Sequence, residues 1–153
     1  MKRIIGIILA VMLFAGCDRQ EFDGYDTPFL SIAASTGASS MVVLSNVNNI
    51  NTFLVTLSSR MLDKPLTVNY EIAVGDGLQE GVDYELLTQG NSLTFEPGVF
   101  DMPIRIKWIS HPVDDQKDNT LTIKLLSNDQ NIHIGRPGPD CLLKSLVIEK
   151  KNE

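Results

Sequence analysis

From Thr27 onward, side chains alternate between apolar and polar with a period of two, and no stretch carries the period of a helix. Leu66, Val68, Tyr70, Ile72 and Val74 fall on one face, and Thr67, Asn69, Glu71 and Ala73 on the other. Met102, Ile104, Ile106 and Trp108 alternate with Pro103, Arg105, Lys107 and Ile109, and Leu121, Ile123 and Leu125 with Thr122 and Lys124. Successive side chains of a strand point to opposite faces, so such runs read as strands with one face on a core. Phe29 to Ala34, Met41 to Leu44, Phe53 to Leu57, Ser92 to Phe95 and Leu142 to Ile148 are further strand candidates. Between the runs lie Gly75-Asp76-Gly77, Gly90-Asn91, Pro97-Gly98, Ser127-Asn128-Asp129 and Gly135-Arg136-Pro137-Gly138-Pro139, residues that suit turns. Short strands broken by frequent turns predict an all-β, antiparallel, immunoglobulin-like sandwich over residues 27–153. A chain of 153 residues with 43% hydrophobic and 21% charged residues has the make-up of one globular domain, not of a disordered segment.

The N-terminus is different in kind. Lys2 and Arg3 precede an uncharged apolar run from Ile4 to Ala15. That run is shorter than the roughly 20 residues a transmembrane helix needs, and it matches the apolar part of a secretory signal. It ends in Leu13-Phe14-Ala15-Gly16-Cys17, with small residues before the expected cut. The Ala-Gly-Cys ending resembles the lipobox of bacterial lipoproteins, although Phe14 stands where that family prefers Leu. The resemblance implies cleavage after Gly16, so that residues 1–16 are a signal peptide, and lipidation of Cys17. Residues 17–26, acidic and aperiodic after the cysteine, read as a tether. Their acidic character also resembles the export signals of small surface lipoproteins from Bacteroides-type bacteria. The expected setting is therefore the cell envelope: an outer-membrane lipoprotein facing outward or into the periplasm.

Removing Lys2 and Arg3 takes 13 Lys+Arg down to 11 against 19 Asp+Glu, and the net charge from −6 to −8. Phosphate backbones and anionic lipid surfaces both attract clustered cations, so the balance excludes nucleic acid as a partner and leaves membrane attachment to the lipid. With Cys17 acylated, Cys141 has no partner within the chain and is expected to be a small semi-buried apolar residue without a disulfide.

Gly81-Val82-Asp83-Tyr84, Ser92-Leu93-Thr94-Phe95-Glu96-Pro97-Gly98, Ile104-Arg105-Ile106 and Leu121-Thr122-Ile123-Lys124-Leu125 together resemble the Calx-beta family across residues 65–127. Gly81 suits a tight turn, Asp83 can bond its own loop, and Tyr84 can pack over the end of the sandwich. The resemblance implies a Ca²⁺ site at that end and offers Asp83, Asp114 and Asp115 as its ligands. Calcium takes six to eight oxygens, whereas here the family's further glutamates are missing, and Lys117 and Asn119 lie in the region. The expectation is no cofactor, with Ca²⁺ at these aspartates as the implied exception.

No phosphate-binding glycine loop, metalloprotease helix or nucleophile elbow occurs in the sequence. His111 and His133 are isolated and read as solvated loop residues. Trp108, Phe53, Phe95 and Tyr70 fall at core positions, which leaves Phe22, Tyr25, Tyr84 and Phe100 as candidate exposed aromatics for a sugar. The reading is a non-catalytic, lipid-anchored interaction or accessory module, with envelope proteins or glycans as partners. The alternatives are a glycan-binding accessory of an outer-membrane uptake system and an adhesin-like structural subunit. Coplanar exposed aromatics would favour the first alternative, and a long uncovered edge strand the second.

Overall fold

The computed structural model describes residues 27–153. The expected signal peptide (residues 1–16), Cys17, the expected tether, Phe22 and Tyr25 lie outside the described residues. Among the described residues ten strands form: β1 (Phe29–Ala33), β2 (Ser40–Leu44), β3 (Asn49–Ser58), β4 (Leu66–Val74), β5 (Tyr84–Leu86), β6 (Ser92–Phe95), β7 (Asp101–Trp108), β8 (Thr120–Asn128), β9 (His133–Ile134) and β10 (Ser145–Lys151). They make two five-stranded sheets, in the orders β5-β7-β3-β1-β9 and β2-β10-β8-β4-β6. The predicted β-sandwich is the observed architecture.

Its core is the sum of the alternating faces. Leu30 and Ile32 on β1, Phe53, Val55 and Leu57 on β3, and Ile104, Ile106 and Trp108 on β7 are buried in the first sheet. Leu66, Val68 and Tyr70 on β4, Leu121, Ile123 and Leu125 on β8, and Leu146 and Ile148 on β10 oppose them from the second. Tyr70 reaches its polar end out of the core, where its hydroxyl donates to Gly90 O at 2.9 Å. The antiparallel β3–β7 register runs from Asn49↔Trp108 to Thr56↔Asp101, which sets the inward residues of both strands on one level.

The structure departs from the sequence reading in four places. β5 and β9, with three and two residues, are too short to show alternation and were not expected. The sheets are not wholly antiparallel, because β1 pairs parallel with β9 and β10 pairs parallel with β2. β3 begins at Asn49, ahead of its first buried residue, Phe53. The final strand begins at Ser145, not Leu142. Residues 142–144 cover the edge of β1 instead: Ile32 N donates to Leu143 O at 2.8 Å, and Arg136 N to Leu142 O at 2.7 Å. Leu143 takes φ +62° to do so, a left-handed conformation that a strand cannot contain.

The four edge strands have two to five residues each. Edges this short offer little template for pairing with another chain.

Candidate functional site

The site grows from the loop between β4 and β5. Gly81 adopts φ +83°, which glycine takes without a side-chain clash. This lets the chain turn back so that Asp83 N donates to Gln79 O at 2.8 Å and Gly81 N to Tyr84 O at 2.8 Å. Asp83 closes the turn with its side chain, its Oδ2 accepting from Gln79 N at 2.9 Å. Tyr84 then enters β5 opposite Trp108, with ring centroids 6.3 Å apart and planes inclined at 55°. That tilted contact joins the loop to the core. Burial pushes the Tyr84 phenol up from its ordinary pKa, and the nearby Glu80 and Asp83 charges add to the effect.

The second oxygen of Asp83 faces inward and meets Lys150. On β10, Leu146, Ile148 and Lys150 occupy successive inward positions, so period two delivers the lysine into the core. Its side chain has no exposed surface, and that of Asp83 is 5% exposed. Lys150 Nζ donates to Asp83 Oδ1 at 2.9 Å, to Ile109 O at 2.9 Å and to Asp83 O at 3.4 Å. The ammonium has three N–H groups, so each has an acceptor. His111 Nδ1 lies 3.0 Å from the same Oδ1, with its ring half exposed at the surface. Burial by itself would push the Asp83 carboxyl up. Hydrogen bonds from Lys150, the Gln79 amide and His111, together with the Lys150 charge, outweigh it and hold the carboxyl below its ordinary value.

Asp83, Asp114 and Asp115 have different surroundings. Asp114 is exposed and caps its own loop: Oδ1 accepts from Gln116 N at 3.0 Å, and its carbonyl from Asn119 Nδ2 at 2.8 Å. Asp115, also exposed, accepts from Asn152 Nδ2 at 2.9 Å. Among the described residues, no three His, Cys, Asp or Glu side chains are grouped so as to hold a metal ion. Asp83 already shares its inward oxygen with an ammonium, so these residues do not fit the calcium cage that the resemblance implies. Lys117 is exposed in the same loop, and Asn119 is buried.

The remaining sequence-predicted residues fall into place individually. Trp108, Tyr70, Phe95 and Phe53 are buried, as their alternation requires. Tyr84 is buried as well, so it offers no platform to a sugar, and Phe100 is 37% exposed. Cys141 is half-buried, with Sγ 3.8 Å from His133 Nε2, and His133 belongs to β9 instead of a loop. Lys150 is the residue that sequence reasoning missed. The signal was available: the alternation of Leu146 and Ile148, carried one step further, places a lysine in the core, and a lysine there requires a carboxylate.

Neither a family model nor a curated protein matches this sequence. Among solved structures, the fold is similar to the crystal structure of CBD12 from CALX1.2, at 18% identity and a TM-score of 0.57. The match covers 81% of this chain and 44% of that one, so this chain spans less than half the neighbour's length. By fold the protein is an all-β, Calx-beta-like sandwich.

Proposed function

We propose that this protein is a lipid-anchored, non-catalytic interaction module of the bacterial cell envelope, held at the outer membrane through Cys17. Anchoring is supported by the run from Ile4 to Ala15 and the Ala15-Gly16-Cys17 ending. A single acyl chain binds membranes only marginally, whereas two or more hold stably, so a fully acylated Cys17 would keep the domain in place without help from its acidic surface.

The observation that carries the non-catalytic reading is the fate of the buried charges. Asp83 and Lys150 neutralise each other inside the sandwich wall. A depression of about 270 Å³ on the outer face of the first sheet is lined by Ser31 and Ala33 of β1, the following Ala34 and Ser35, and Thr52, Leu54 and Thr56 of β3. It holds hydroxyls and aliphatic groups but no titratable side chain that could move a proton. Partners are then envelope proteins or glycans meeting a sheet face. The burial of Tyr84 leaves the glycan reading with less support, and the short edges do the same for the adhesin-like reading.

Metabolic labelling with an alkyne fatty acid, followed by membrane fractionation, tests the anchor. The native chain is expected to carry label and sediment with membranes, and Cys17→Ser to lose both. Unchanged labelling of Cys17→Ser would contradict the proposal.

A further inference from the structure

We propose that the Lys150 ammonium is the resident cation of this end of the sandwich, standing where a divalent ion would have to sit to use Asp83, so that the end is closed without a metal. Three oxygens converge on Nζ, namely Asp83 Oδ1, Asp83 O and Ile109 O, at 2.9, 3.4 and 2.9 Å. They come from the β4–β5 loop and the residue following β7, and the ammonium comes from β10 in the opposite sheet. The lysine is therefore a tie between the two sheets as well as a counter-charge. A carboxylate with carbonyl oxygens is the donor chemistry that calcium selects. Here the same chemistry is satisfied by a side chain of the chain itself, with no exposed surface through which it could be displaced.

Two further contacts complete the enclosure. Gln79 N occupies Asp83 Oδ2 at 2.9 Å, and His111 Nδ1 stands 3.0 Å from Oδ1 on the solvent side. An entering ion would have to break the lysine contact and pass the imidazole, and Lys150 would be left buried beside it. Like charges at that separation repel strongly in a medium of low polarity. Access of a divalent ion to Asp83 at this end of the sandwich is then controlled by one residue, Lys150.

Terbium, a luminescent calcium mimic, tests this in the full chain in detergent, because Tyr84 and Trp108 lie beside Asp83 and can sensitise its emission. The native chain is expected to show no sensitised emission that depends on Asp83, and the same melting temperature in excess EDTA as in millimolar Ca²⁺. Lys150→Ala, which empties the position but keeps the oxygens, is expected to gain emission, and Asp83→Asn in that background to lose it. Emission from the native chain that survives Asp83→Asn comes from exposed carboxylates and agrees with the proposal. Emission or a calcium-induced rise in melting temperature that Asp83→Asn abolishes in the native chain would overturn it. So would a folded Lys150→Ala, judged by its Trp108 fluorescence, that gains no emission. If Lys150→Ala does not fold, the native-chain measurements decide alone.

Discussion

Lys150 Nζ and Asp83 Oδ1 are 2.9 Å apart, the lysine side chain fully buried and the aspartate nearly so. The contact has a consequence for acid stability. Asp83 has a folded pKa below its ordinary value of about 3.9, so the folded state holds its carboxylate more tightly deprotonated than the unfolded state does. The stabilisation is complete above the unfolded pKa and is lost as pH falls through the folded one. Melting temperature is therefore expected to show no loss from this group between pH 7 and about pH 5, and to fall below about pH 4. In Lys150→Met, burial opposes a smaller set of donors, so this acid-side fall becomes shallower. Thermal melts of both proteins across that range check the slope; identical acid limbs would show that the lysine does not set it.

Trp108 is fully buried at the end of β7, between the Tyr84 ring and the cores of both sheets. Trp108→Ala is expected to cost about 3–5 kcal/mol in guanidinium unfolding, the usual penalty for deleting a large buried aromatic. As the chain's one tryptophan, it also reports its own environment. Native fluorescence should peak at the short wavelengths of a water-shielded indole and shift to the red on unfolding. A native maximum typical of solvated indole would mean that β7 presents its other face to the core.

Gly75 marks where the β4–β5 and β7–β8 loops touch backbone to backbone. A Cβ built on it would collide with the Asp118 carbonyl, and Gly75 N donates to Thr120 O at 2.8 Å. Gly75→Ala must push the two loops apart and is expected to destabilise by about 1–3 kcal/mol, in line with overpacking elsewhere. Gly37→Ala provides a contrast, because a Cβ there meets nothing and only the backbone at φ +82° resists. Parallel denaturation curves in which Gly75→Ala unfolds at the same midpoint as the native chain would show that the loops are not in contact.

Most of the sandwich could be read in the sequence because period two survives wherever one face is buried. β4, β7 and β8 alternate for seven or more residues and were legible for that reason. β5 and β9 were not, because strands of three and two residues carry no period and depend on long-range pairing with Trp108 and Phe29. The parallel pairs escaped for a related reason: alternation reports burial and says nothing of a neighbour's direction. At the site, Asp83 was legible as a turn residue but not as half of an ion pair. Its partner is 67 positions away, and Lys150 looks like an ordinary charged tail until Leu146 and Ile148 fix its phase. Asp114 and Asp115 adjoin each other in sequence and engage different partners, Gln116 and Asn152.

If Asp83 and Lys150 form one structural unit in place of a metal site, a double-mutant cycle will show strong coupling between them. Guanidinium unfolding, followed by Trp108 fluorescence, would be measured for the native chain, Asp83→Asn, Lys150→Met and the double variant. Each single variant leaves a buried charge without its counter-charge and should cost about 3–5 kcal/mol, whereas removing both charges should cost no more than either alone. The predicted coupling between the residues is thus about 3 kcal/mol or more. Additive losses, within about 0.5 kcal/mol, would contradict the account and show that the two residues stabilise the fold independently.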